Sequence, residues 1–370
     1  MHVLILCEYG TINGGERSLL AALDHRSDDV QVTVLAPKQG RLADALAARG
    51  VVHVPFDVHD ASGRRLPAAE VLDALLPVIE RHAPEIVHAN SLSLGRITGV
   101  LSHRISVPCT AHLRDIVRLS HKAAEDLNGN ARLITVSHAT RDYHVAQGLD
   151  AGRVTVLHNG IDCEQWRPRS RRGGLRGELD LPADALVAAA VGQIGIRKGL
   201  DVLVDMAILE AESLPRVHYA VIGERYSGKA ESIAFEQSLH DRLEEVGIAD
   251  RFHWLGYRED VGRLLGEADL LIHSARQEPF GRVLLEAAAC GLPIIATRVG
   301  GTAEMLNDGQ SALFVEPDDA GALAQAVHHL ISNPEERRRL GDAARRRMVE
   351  RFDIREQAAA LFALWRNVRL

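Results

Sequence analysis

The stretch Gln277-Glu278-Pro279-Phe280-Gly281-Arg282-Val283-Leu284-Leu285-Glu286-Ala287-Ala288-Ala289-Cys290-Gly291 decides the fold of this chain. The apolar run before it, 268–274, reads as a buried parallel strand. A turn and a helix follow, with Pro279 suited to the first helical turn and Gly291 to the position just past the end. Glu278 falls in the loop before the helix, whereas Glu286 is embedded among Leu284, Leu285, Ala287, Ala288 and Ala289. At about 1.5 Å of rise per residue the two carboxylates lie on the order of 10 Å apart. That is too far to share a proton and suits the two ends of one extended polar ligand. N–H groups at the helix start favour an anion, a diphosphate above all, and Gly281 lets the backbone approach it. A carboxylate as enclosed as Glu286 must be paired or hydrogen-bonded to a ligand.

Upstream, the run 186–191 reads as a strand closed by Gly192-Gln193-Ile194-Gly195-Ile196-Arg197-Lys198-Gly199, with a helix from Asp201. Arg197 and Lys198 thus come where a diphosphate could sit, although loop cations are usually solvated. Strands at 217–222 and 251–255 end at Gly223-Glu224 and Gly256-Tyr257-Arg258. Downstream, 292–297 makes a strand, and Thr302 is a candidate helix cap. Helical patterns then cover 320–331, 334–351 and 354–368.

The first half repeats the alternation. Residues 2–7 form a strand, and the loop 8–15 ends in Gly14-Gly15 just before a helix near Glu16. Strands at 30–36, 51–54, 85–89, 107–111, 132–137 and 154–157 follow, with helices at 41–49 and 68–82. Short β-branched runs alternating with helices mean a parallel sheet covered on both faces, with ligands beyond the strands' carboxyl ends. Asn90, Ser91, His112, Arg114, Ser137 and His138 stand there. His112 reads as a loop residue just past its strand. By itself a lone histidine is more often a surface residue than a catalytic one, and Gly14-Gly15 is equally ordinary turn chemistry.

A chain of 370 residues is long for one core and comfortable for two. The formal charge of -7 argues against bulk nucleic-acid binding. Cys7, Cys109, Cys163 and Cys290 fit no metal-ligand spacing and read as buried thiols of a reducing cytoplasm. No apolar run of about 18 residues is present to span a membrane. The basic stretch from Arg167 to Gly177 reads as a solvated linker, with peripheral contact to anionic lipid left open.

The spacing E-x7-E, with Pro-Phe-Gly after the first Glu and Gly-x-Pro after the helix, resembles the signature of retaining glycosyltransferases of family 4. The resemblance implies a GT-B fold: two Rossmann-like parallel-sheet α/β domains facing across a cleft, with a C-terminal helix crossing back. It divides the chain into residues 1–160, a linker 161–180, a nucleotide-sugar domain 181–350 and a returning helix 351–370. It implies transfer from a nucleotide diphosphate sugar, UDP favoured by family frequency, with no metal and no further cofactor. The acceptor could be a small molecule, glycan, lipid or peptide, and the oligomeric state is not implied.

By similarity, Glu286 would hold the ribose hydroxyls, while Lys198 and Arg197 would neutralise the diphosphate. Glu278 with the backbone of Phe280, Gly281, Val283 and Leu284 would hold the sugar. His112 would approach the anomeric centre, and Gly14 and Gly15 would form the N-terminal glycine loop. Tyr257 and Arg258 would line the base pocket. Gln193 replaces the family's usual Arg, a departure that Arg197 could offset. A nucleotide-sugar epimerase of similar fold and a non-catalytic sugar-nucleotide-binding protein remain as alternatives.

Overall fold

The strands form because their residues are almost uniformly apolar, as expected of strands covered on both faces. The computed structural model describes residues 1–169, 174–214 and 216–368, and two compact units emerge from it: Met1–Gly160 with Ile354–Leu370, and Ile161–Asp353. The first unit contains β1 (His2–Leu6), β2 (Gln31–Ala36), β3 (Val52–Pro55), β4 (Ile86–Ala89), β5 (Cys109–Leu113), β6 (Arg132–Thr135) and β7 (Val154–Val156). They pair in parallel in the order β3-β2-β1-β4-β5-β6-β7. The second unit has β8 (Leu186–Val191), β9 (Val217–Ile222), β10 (Phe252–Trp254), β11 (Leu270–His273), β12 (Ile294–Thr297) and β13 (Leu313–Val315). Their order is β10-β9-β8-β11-β12-β13, again all parallel. In each sheet the strand order reverses once, at β1/β4 and at β8/β11. In open α/β sheets such a reversal is where ligands bind, outside the carboxyl ends of the strands.

The helix Ile354–Asn367 belongs to the first unit: Ala358, Leu361, Phe362 and Trp365 join Val3, Ile5, Leu19 and Leu23 in one buried cluster. Gly160 allows this return, because a Cβ there would lie 2.7 Å from Ile354 Cα. All four cysteines are free and buried. Among the described residues no helix is long and apolar enough to cross a membrane.

Several local expectations are corrected. The helix after Glu278 begins at Arg282, so Pro279 lies in the preceding turn and Gly281, at φ 64°, is the residue before the first turn. Thr302 is the first residue of its helix and not the cap; its hydroxyl ties the turn by donating to Thr297 and Val299 carbonyls. Ser91 and Ser137, candidate ligand contacts, are helix caps that accept from Leu94 N and Thr140 N. Of the basic stretch expected to be solvated, residues 170–173, which include Arg171, Arg172 and Gly173, lie outside the described residues. Arg176 is buried instead, donating to Asp269 Oδ2 at 2.5 Å and to the Ala185 and Glu267 carbonyls.

Candidate active site

In the second unit the residues after β8 and after β11 meet at the reversal point of the sheet. The turn Ile196–Lys198 is a single 3-10 turn closed by Gly199 at φ 63°. A Cβ on Gly199 would lie 1.9 Å from the Ser274 carbonyl, so only glycine lets the turn come this close to the end of β11. Arg276 staples the same two segments. Its backbone N–H donates to the Arg197 carbonyl, and its guanidinium reaches the Ile196 carbonyl, Asp201 and Asp318.

This packing delivers Lys198 to Glu278. Lys198 Nζ donates to Glu278 Oε2 at 2.5 Å, His273 Nε2 approaches the same oxygen at 3.1 Å, and Gly281 N–H donates to Oε1 at 3.0 Å. Burial opposes ionisation of Glu278, yet Lys198 and His273 beside it hold its carboxyl well below the usual carboxylate range. Burial lowers the pKa of His273 despite its bond to Glu278. One carboxylate thus clamps an ammonium group against the start of the helix Arg282–Ala289. Gly192, Gln193, Lys198, His273 and Ser274 line a small cavity beside it. Gln193 and Arg197 are both exposed, and the side chain of Arg197 has no hydrogen bond or ion pair among the described residues.

Glu286 is buried, as its neighbours require, and pairs with Arg282 one turn earlier at 3.3 Å. The expected need for a partner is met within the helix. Phe280 and Leu284 are fully buried, so at these two positions only the backbone can meet a ligand. Arg258 is engaged elsewhere: with Arg263 it binds Glu178 and Asp260 in a four-member ion cluster. Tyr257 beside it is half-buried.

In the first unit a second constellation stands at the reversal point of its sheet. His112 lies inside β5, buried, and not in the loop after it. Arg114 brings the surrounding residues together. Its guanidinium donates to His112 Nδ1 at 3.0 Å, to Asn90 Oδ1 at 3.0 and 3.3 Å and to Asn159 Oδ1 at 3.0 Å. Gly15 makes room for this arginine, since a Cβ there would come within 2.9 Å of Arg114 Cδ; Gly14 meets nothing within 4 Å. Both glycines open the helix Gly14–Leu23, whose Glu16 accepts from Asn13 N–H.

Sequence reasoning missed His273, Arg276, Asn159 and the structural use of Gly15. A histidine closing an apolar run was visible at His273. Arg276 and Asn159 carried no local signal, because their partners lie 42 to 80 residues away.

Residues 12–165 match the family model Glycosyltransferase Family 4, and residues 174–347 match Glycosyl transferases group 1. The chain is a GT-B glycosyltransferase. The D-inositol 3-phosphate glycosyltransferase of Mycobacterium tuberculosis is 28% identical over 353 residues, which cover 90% of this chain and 70% of that protein. Its Streptomyces bingchenggensis counterpart is 28% identical over 296 residues, 75% of this chain and 65% of that protein. Anabaena HepE, crystallised in complex with UDP-glucose, superposes with a TM-score of 0.85 at 23% identity, covering 98% of this glycosyltransferase and all of HepE (100%). WaaG, a glycosyltransferase involved in lipopolysaccharide biosynthesis, gives a TM-score of 0.73 at 18% identity over 99% of this chain and 100% of its own. These structures share the fold.

Proposed function

We propose that this glycosyltransferase moves a sugar from a nucleotide diphosphate sugar, a UDP-sugar first, to an acceptor with retention of anomeric configuration and without a metal. The observation that carries the reading is the Glu278 carboxylate, which joins Lys198 Nζ to the Gly281 N–H at the sheet's reversal point. A fixed cation and a helix N-terminus stabilise a leaving diphosphate whose charge grows as the bond from C1 to the phosphate oxygen breaks. Arg197, exposed on the same turn, adds a second cation where Gln193 supplies none.

Glu286, paired with Arg282, accepts from the ribose hydroxyls. The backbone from Phe280 to Leu284 holds the sugar. Arg258 drops out of the binding set because its guanidinium is already held by two carboxylates. Glu278 and Glu286 are assigned to donor binding and not to deprotonating the acceptor. The leaving diphosphate accepts the acceptor's proton on the face it departs from, while the acceptor oxygen forms the new bond to C1.

The relatives' names supply the first acceptor to test, D-inositol 3-phosphate, and UDP-glucose is the first donor. NMR of the anomeric proton in the first product, with and without EDTA, tests both halves of the reading. An inverted linkage or loss of activity in chelator overturns the mechanism. An epimer formed from donor alone moves the chain to a different reaction.

A further inference from the structure

We propose that Arg114 locks His112 as the neutral, Nε2-protonated ring, so that His112 serves transfer as a hydrogen-bond donor to a carbohydrate oxygen and not as an acid or base. The transfer role rests on the function proposed above; the lock rests on the fold alone. A guanidinium has five N–H donors and no acceptor. Its contact with His112 Nδ1 at 3.0 Å therefore requires a lone pair on that nitrogen. The proton of the neutral ring then sits on Nε2. Adding a second proton would set an N–H of the imidazolium against an N–H of the arginine.

Arg114 cannot swing away cheaply. Asn90 Oδ1 takes two of its N–H groups and Asn159 Oδ1 another, and its stem fills the space that Gly15 leaves. The other titratable group facing His112 is His88 on β4, with ring centroids 6.1 Å apart. His88 Nδ1 accepts from Trp365 Nε1 at 3.4 Å and lies 2.8 Å from Thr110 Oγ1. Indole only donates, so His88 is neutral as well. Burial, then Arg114 and His88, push the His112 pKa well below its ordinary value, in keeping with the geometry. Finally, His112 Nε2 is buried and has no hydrogen-bond partner among the described residues, and neither has Asn90 Nδ2. Buried donors without acceptors are rare in a finished fold. Two of them around one arginine, one near the carboxyl end of β5 and one just past that of β4, make a place for the oxygens of a hydroxylated ligand.

Arg114 is on this account a positioning residue, and its effect has a spectroscopic readout that needs no substrate. Protein labelled with 15N in the histidine rings gives tautomer-specific long-range proton–nitrogen patterns, with His112 assigned by its loss in His112→Gln. The expected result is an Nε2–H pattern that does not titrate between pH 8 and pH 5, and a tautomer mixture or a titrating ring in Arg114→Met. An Nδ1–H pattern, a titrating wild-type ring, or an unchanged pattern in Arg114→Met overturns the lock. If Arg114→Met does not fold, the wild-type spectrum decides alone. The donor role is read from turnover: His112→Gln, which keeps an N–H donor, stays within about tenfold of wild type, and His112→Leu falls about tenfold further. Equal losses of about 10²-fold or more in both overturn it, as expected of a general base. A failure to find transfer leaves the tautomer result standing, so the two readings fail separately.

Discussion

Glu278 and Glu286 occupy similar positions in the sequence pattern, one before a helix and one within it, but their partners set them apart. Glu278 accepts from Lys198, His273 and the Gly281 N–H, and on the proposed function it aims the ammonium group. Lys198→Ala should therefore lower turnover by about 10²-fold or more while donor affinity changes only a few-fold, since the cation acts on charge that develops in the transition state. Initial rates and calorimetric titration separate the two, and a loss confined to binding refutes the assignment. Glu286 accepts from Arg282 within its own helix. Glu286→Gln keeps the volume and removes the charged acceptor, worth roughly 1.5–3 kcal/mol to a bound ribose. UDP affinity should drop about tenfold or more, and an unchanged titration takes Glu286 out of the site.

Loops at the ends of β8 and β11 bring the candidate site residues of the second unit together, and glycines decide how closely they approach. Gly199→Ala places a methyl group 1.9 Å from the Ser274 carbonyl and forces φ 63° on a residue that resists it. The expected cost exceeds about 2 kcal/mol, with Lys198 displaced. A fall in Tm together with weaker UDP binding checks this; unaltered melting sinks it. Glycine also explains why some helices escaped a reading by pattern. The helix Leu92–Leu101 holds Gly95 and Gly99, which look like turn residues. A Cβ on Gly95 would lie 2.7 Å from Ala111 Cβ, and one on Gly99 would lie 1.7 Å from the Asp126 carbonyl. Those glycines permit close packing on β5 and on the helix His121–Asn128, and tertiary contact outweighs their low helix propensity. Strands were legible because burial on both faces makes them continuous apolar runs, as at 217–222.

For the molecule as a whole, buried histidines make stability fall with acid. Burial, then Arg114, push the His88 pKa down to about 3. Its unfolded value is about 6.5, so the unfolded chain binds more protons throughout that window. The contribution is fully present above about pH 6.5 and is lost as pH falls toward 3, at roughly 1.4 kcal/mol per pH unit. His112 has its pKa lowered too and adds in the same direction. Glu278, with its carboxyl also held low, enters only below its unfolded value of about 4.3. Urea midpoints at pH 7 and pH 5 should differ in wild type and differ less in His88→Gln. Equal differences would show that His88 titrates freely in the folded state.

The sequence by itself determined the α/β class, the two parallel sheets, the glycine at each critical loop and the pair Glu278 and Glu286. These rest on local patterns: apolar runs, breakers and short spacings that survive in one dimension. Only the tertiary structure decided what each charged group touches. It joined Lys198 to Glu278 across 80 residues, turned Arg258 toward Glu178, buried Arg176 on Asp269 and fixed His112 by Arg114 inside a strand. A hydrogen bond depends on distance and direction, which the order of residues does not contain. The carboxylates were legible as residues, and their contacts became visible only with the fold.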